Sequence, residues 1–140
     1  MDVFVYGTLT APDRVRELLD SFAFVGPATL TGLHLVEGRY PTLAPGGRTA
    51  GRLLRTDEMA RLDEYEGVAD GLYVRHAVPL SVADERDAGN YPAEAAVYIG
   101  DPDRLDADAT WPGERAFAIR VDQYLESTDV RVSVDSATPV

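Results

Sequence analysis

Residues 2–6, Asp2-Val3-Phe4-Val5-Tyr6, are a β-branched and aromatic run that breaks at Gly7-Thr8-Leu9, the pattern of a short strand ending in a glycine turn. Pro12 suits a first helical position and Asp13 the opening turn, with Val15, Leu18 and Leu19 on one side, which predicts a short helix to about residue 20. Residues 22–36 are rich in Val, Leu, Thr and aromatics and read as two strands or one long bent strand, with Gly32 marking a bulge. Turns are predicted over 37–41 and 44–47. A strand over 49–55 then runs into a helix over 56–66, capped by Thr56 or Asp57, on which Met59, Leu62 and Tyr65 recur three apart. Gly67 supplies the stop.

Residues 72–82 and 93–99 read as further strands around a polar turn at 84–90. The acidic run Asp101, Asp103, Asp106 and Asp108 reads as solvated loop, because the glycine and terminal glutamate of an EF-hand calcium loop are not in place. Residues 116–125 fit a helix or a strand equally. The pattern predicts one domain over residues 1–126 and a polar tail over 127–140, either frayed or adding an edge strand through Val130, Val132 and Val134. There is no internal repeat.

Composition narrows the function classes. The 140 residues suit one domain, and 45% hydrophobic with 26% charged residues is a globular balance. No apolar run approaches membrane-spanning length and no basic segment leads into an apolar one, so cytoplasm is the expected location. With no cysteine, disulfides, thiolate catalysis and Cys-based metal sites are excluded. The net charge is −11, and all 13 basic residues are Arg. Such a surface repels phosphate backbones and anionic lipids, so neither nucleic acid nor membrane is an expected partner. A lysine-free, acid-rich surface also points to a high-salt, halophilic setting, where the Debye length falls to about 3 Å near 1 M. Stability is therefore expected to rise between about 50 mM and about 2 M salt, and equal stability at both would contradict that origin.

Candidate chemistry centres on two places. Glu66 is predicted in the last turn of its helix, where the partial negative charge of the carbonyl end disfavours a carboxylate by up to about 1 kcal/mol. Asp63 and Glu64 add to that repulsion, and a carboxyl pushed toward neutrality is what a general acid/base at neutral pH requires. At the other end of the chain, a glycine directly after a strand lets backbone N–H groups turn outward as a nest for an anion or oxyanion, with positive φ expected at Gly7. His34 and His76 lie in separate predicted strands without H-E-x-x-H spacing, so no metal site is expected. No G-x-S-x-G elbow is present, and Asp63 and Glu66 share a helix face instead of flanking a cleft, which removes hydrolase-triad and glycosidase readings.

Taken together, Tyr6-Gly7-Thr8-Leu9, Gly51, the run Leu62-Asp63-Glu64-Tyr65-Glu66-Gly67 and Tyr73-Val74-Arg75 resemble the gamma-glutamylcyclotransferase-like family, specifically its AIG2-like and gamma-glutamylamine cyclotransferase branch. The resemblance spans roughly residues 2–100. It implies a mixed α/β fold, a small bent, mostly antiparallel sheet or partial β-barrel packed by about two helices. It further implies an enzyme that releases 5-oxoproline and a free amine from a small-molecule gamma-glutamyl substrate without a cofactor. Carried onto this chain, it makes Glu66 the catalytic acid/base and Tyr6, Gly7, Thr8 and Leu9 the substrate-binding turn. Tyr73 and Tyr98 become pocket-lining residues, and Tyr40 a further contact. The chain departs from the family at Thr10-Ala11-Pro12, where a basic residue and a glycine are usual, which bears on the pocket rim. The competing reading is a non-catalytic small-molecule-binding module of the same fold.

Overall fold

Strand β1 (Asp2–Val5) is buried along its whole length because it has a neighbouring strand on each side and cover on each face. In the computed structural model, which describes residues 1–82 and 88–135, it pairs antiparallel with β3 (Thr42–Arg55) and parallel with β5 (Glu94–Gly100). The remaining strands are β2 (Ala23–Val36), β4 (Tyr73–Val82) and β6 (Arg131–Val134). They close a barrel in the order β1-β3-β2-β6-β4-β5, in which only the β1–β5 and β4–β6 pairs are parallel. The fold is thus mixed α/β and mostly antiparallel as expected, but the barrel is closed. Four α-helices, not two, accompany it among the described residues: α1 (Pro12–Leu18), α2 (Met59–Tyr65), α3 (Pro102–Leu105) and α4 (Phe117–Ser127).

Alternation along β1 and β5 splits the core in two. Phe4, Val97 and Ile99 join Leu30, Leu33, Leu43, Leu53 and Val132 in one cluster, which Trp111, Phe117 and Val121 complete from the C-terminal part of the chain. Val3, Val5, Ala96 and Tyr98 face the other way and meet Leu9, Val15, Leu19 and Leu62 beneath α1 and α2. Strands buried on both faces read as unbroken apolar runs, which is what residues 3–5 and 95–99 are, with Asp2 buried at the start of β1.

Several local expectations change. The turn expected at 44–47 is absorbed into β3: Pro45 pairs with Leu33 and Arg48 with Thr31, leaving Gly46 and Gly47 to form a bulge opposite Gly32. The bulge predicted at Gly32 is present, and 23–36 is one long strand. The acidic segment after residue 100 contains α3, whose first turn is capped by Asp101 accepting from Asp103 N–H at 3.1 Å. Residues 117–127 resolve as helix, with Trp111 edge-on to Phe117 and Tyr124. The tail strand through Val132 and Val134 exists but is no edge, since β2 flanks it on one side and β4 on the other. The barrel therefore draws a strand from beyond residue 126. Of the polar turn at 84–90, residues 84–87 lie outside the described residues, and Ala88–Asn90 is a 3-10 turn.

Candidate active site

The cavity forms where β1 runs out. After Val5 the chain turns through Tyr6 and Gly7 into a 3-10 turn over Thr8–Thr10, tied by Thr10 N–H to Gly7 O at 3.1 Å and Ala11 N–H to Thr8 O at 3.3 Å. Thr10 Oγ1 also donates to Gly7 O, and the Arg52 guanidinium of β3 donates to Thr10 O at 2.8 Å. Because the first bonds of the turn come from Thr10 and Ala11, the N–H groups of Thr8 and Leu9 precede them and are its orphan donors. Gly7 does not adopt the positive φ expected of it: φ is −127° and ψ −128°. A Cβ there would lie 3.5 Å from Pro41 Cγ, an ordinary contact, so neither that space nor its φ requires a residue lacking Cβ.

Another wall comes from the end of α2. That helix is shorter than predicted, starting at Met59, with Thr56 Oγ1 accepting from Glu58 N–H at 3.1 Å before its first turn. Its last bonds are Glu66 N–H to Leu62 O at 2.9 Å and Gly67 N–H to Glu64 O at 3.1 Å. Glu66 is accordingly the C-cap residue, one step beyond the last helical turn, and Gly67 takes the left-handed conformation at φ 65° that ends the helix. The Glu66 carboxyl is largely withdrawn from water, and burial pushes its pKa up to about 7. The cause differs from the one read in the sequence. Asp63 is not repelling Glu66 but is held by the Tyr98 hydroxyl at 2.7 Å and by Arg75 at 3.2 Å, while Glu64 is exposed.

Between these walls lies a cavity of about 220 Å³ lined by Phe4, Val5, Tyr6, Gly7, Thr8, Leu9, Tyr40, Pro41, Tyr65, Glu66, Leu72, Tyr73 and Tyr98. All seven residues singled out from the sequence as site residues line it together, so Glu66 and the Tyr6-to-Leu9 turn share one cavity. The phenols are already engaged: Tyr6 donates to Tyr98 O at 2.5 Å, Tyr73 to Pro41 O at 2.6 Å and Tyr98 to Asp63. Burial raises the pKa of all three, with Glu66 adding to the effect at Tyr6 and Tyr73, so they remain neutral and act as fixed walls. Tyr40 stands at the rim, 57% exposed.

The three-apart spacing places Tyr65 on a buried helix face, and the structure differs. Tyr65 is 39% exposed and lines the cavity mouth, its hydroxyl 3.1 Å from Thr8 Oγ1. Leu62 alone of that face is fully buried, because α2 ends soon after it and the chain turns away. Phe4 and Leu72 are also lining residues without a signal in the sequence beyond their apolar character, and Pro41 lines the cavity beside Tyr40. His34 and His76 lie on β2 and β4 outside the cavity, and among the described residues no three metal-ligating side chains converge. No helix among the described residues is long and apolar enough to cross a membrane.

Residues 3–114 match the profile of "Gamma-glutamyl cyclotransferase, AIG2-like". AIG2-like protein D of Arabidopsis thaliana is 32% identical over 135 residues, covering 90% of this chain and 85% of that protein. Among solved structures, one titled "Gamma-glutamyl cyclotransferase" superposes with a TM-score of 0.56 at 15% identity, covering 90% of this chain and 98% of its own. An uncharacterized Homo sapiens protein superposes with a TM-score of 0.59 at 17% identity, over 88% and 96% of the two chains. At those identities the two structures speak for the fold, while the profile spans most of the chain. The chain belongs to the gamma-glutamyl cyclotransferase, AIG2-like family.

Proposed function

We propose that this protein releases 5-oxoproline and a free amine from a gamma-glutamyl compound, with Glu66 as the general acid/base. The observation that carries the reading is a carboxyl with a pKa near 7 sharing one cavity with the orphan N–H groups of Thr8 and Leu9. In the reaction the substrate's α-amine attacks its own side-chain carbonyl carbon, the amide C–N bond breaks, and a five-membered lactam closes. Two protons leave the ammonium and two arrive on the departing nitrogen. An α-ammonium titrates near 8, so transfer to a carboxylate at about 7 costs about 1 kcal/mol, whereas an ordinary glutamate at 4.5 would make it about 5 kcal/mol. Glu66 is thus matched to take a proton from the nucleophile and return it to the leaving amine. The turn N–H groups hold the glutamyl carboxylate or the oxyanion that develops at the attacked carbonyl, and the enclosed cavity keeps the substrate in the ring-closing pose. An intracellular, cytoplasmic setting belongs to this reading, since it rests on a small-molecule substrate and a cysteine-free acidic chain.

The lining also favours one substrate class. Glu66 is the one charged side chain among the lining residues, and no Arg or His joins it. A gamma-glutamyl amino acid would bring a carboxylate on its leaving group toward Glu66 with no cation to meet it, which costs free energy, while a gamma-glutamylamine brings none. We therefore expect kcat/KM for gamma-glutamylamines to exceed that for gamma-glutamyl amino acids by at least about 10-fold, the equivalent of about 1.4 kcal/mol. Competition between the two classes, read by mass spectrometry of released 5-oxoproline, tests this; a preference for the amino acid conjugates contradicts it. Ligand-induced stabilisation without any 5-oxoproline would instead mark a binding module.

A further inference from the structure

We propose that Asp63 is a positioning residue, a latch that fixes the end of α2 on the barrel so that Glu66 stays seated in the cavity. The latch rests on the acid/base role proposed for Glu66 and concerns residues to which that role assigns no chemistry. Helix α2 has seven residues and a single fully buried side chain, Leu62, so apolar packing alone leaves its last turn weakly held. Asp63 lies three residues before Glu66, on the same side of the helix. Its carboxylate accepts from the Tyr98 hydroxyl at 2.7 Å and faces Arg75 at 3.2 Å.

Arg75 on β4 and Tyr98 on β5 are cross-strand partners in the register, so neighbouring strands present both donors to the same carboxylate. The pair is partly buried, and charge-assisted bonds of this kind are the stronger sort. Tyr98 then passes the constraint on, because its own carbonyl accepts from Tyr6, the residue just before the Gly7 turn. An unbroken series of bonds therefore runs from the helix end that carries Glu66, through Asp63, Tyr98 and Tyr6, to the binding turn. It also accounts for Asp63 and Arg75 within the motif, which the chemistry itself does not use.

Releasing the latch lets water reach Glu66. The titratable groups that line the cavity with it are the phenols of Tyr6, Tyr40, Tyr65, Tyr73 and Tyr98, none of which supplies a positive charge to hold its carboxylate. The test is the titration midpoint of the Glu66 carboxyl, followed by carbon NMR in wild type, Asp63→Asn and Tyr98→Phe, together with kcat/KM against pH. The latch predicts that both variants lower the midpoint, by roughly one pH unit, with the acid limb of the activity profile moving alike. At pH 7, kcat/KM falls about 10- to 100-fold, as misplacement of a reacting group does. Lower thermal stability with an unchanged midpoint would reduce Asp63 to a structural residue and overturn the proposal. A shift in Asp63→Asn but not in Tyr98→Phe would overturn it too, because it would assign the effect to lost charge instead of lost position. If wild type releases no 5-oxoproline, the proposed reaction fails while the midpoints still decide the latch.

Discussion

Glu66→Gln is expected to be more stable than wild type at pH 8 and about 10²- to 10⁴-fold slower in turnover. The two effects have one origin. The folded protein holds the Glu66 proton up to about pH 7, whereas the unfolded chain releases it near the ordinary value of 4.5. Between those values the folded state binds more protons than the unfolded one, so this residue's contribution to stability falls as pH rises from about 4.5 to about 7 and stays low above. The full loss is about 3 kcal/mol, and glutamine, which carries no charge to bury, avoids it. Wild type and variant should therefore converge in stability near pH 4 and diverge toward pH 8. His76 titrates in the opposite sense: burial lowers its pKa, so its contribution is lost as pH falls below about 6.5. Comparing the two proteins at the same pH cancels that term. Denaturant unfolding across this range measures the difference, and parallel stability curves would mean that Glu66 is as well hydrated as a surface carboxylate.

Gly51→Ala is expected to destabilise the protein by about 3 kcal/mol, the upper part of the range for forced overpacking, and to lower its melting temperature by roughly 10 °C. Gly51 lies in β3 where β1 crosses most closely: a Cβ would stand 2.3 Å from the Val5 carbonyl oxygen and 2.6 Å from the Phe4 ring. A backbone carbonyl cannot rotate away, so β1 must move. Val5 immediately precedes the Tyr6-Gly7 turn, and the displacement is expected to weaken binding of gamma-glutamyl ligands as well. Gly89, where a Cβ would meet nothing within 4 Å among the described residues, supplies the control, and Gly89→Ala should be neutral. Equal melting temperatures for the two variants would contradict the close approach of β1 and β3.

Glu66 was legible in the sequence for a reason only half right. Its place at a helix end followed from Leu62, Tyr65 and Gly67, but its raised pKa comes from burial against residues far away in the chain, which local charge counting does not reach. The repulsion expected from Asp63 is cancelled by Arg75 and Tyr98, brought together by the register of β4 and β5. The run Ala44-Pro45-Gly46-Gly47 has turn composition, yet long pairing with β2 on either side carries the strand through it as a bulge. Tertiary pairing likewise turned the C-terminal valines from an edge into an interior strand, since alternation reports a face and not the number of neighbours. Tyr65 departs from its expected burial because periodicity continues to the end of a helix after the packing surface has stopped. The grouping of Tyr6, Gly7, Thr8, Leu9, Glu66, Tyr73 and Tyr98 was implied by the family resemblance that the motifs carry together, and these residues line one cavity; none of them was decisive alone.

The most direct test of Glu66 as acid/base in gamma-glutamyl cyclisation is 5-oxoproline itself. Purified wild type and Glu66→Gln are incubated at high salt with a mixture of gamma-glutamylamines and gamma-glutamyl amino acids, and the product is followed by mass spectrometry. The proposed mechanism predicts 5-oxoproline from wild type and at least about 10²-fold less from the variant, with the variant folded. Equal product from both proteins would remove Glu66 from the mechanism, and no product from either would contradict the cyclisation.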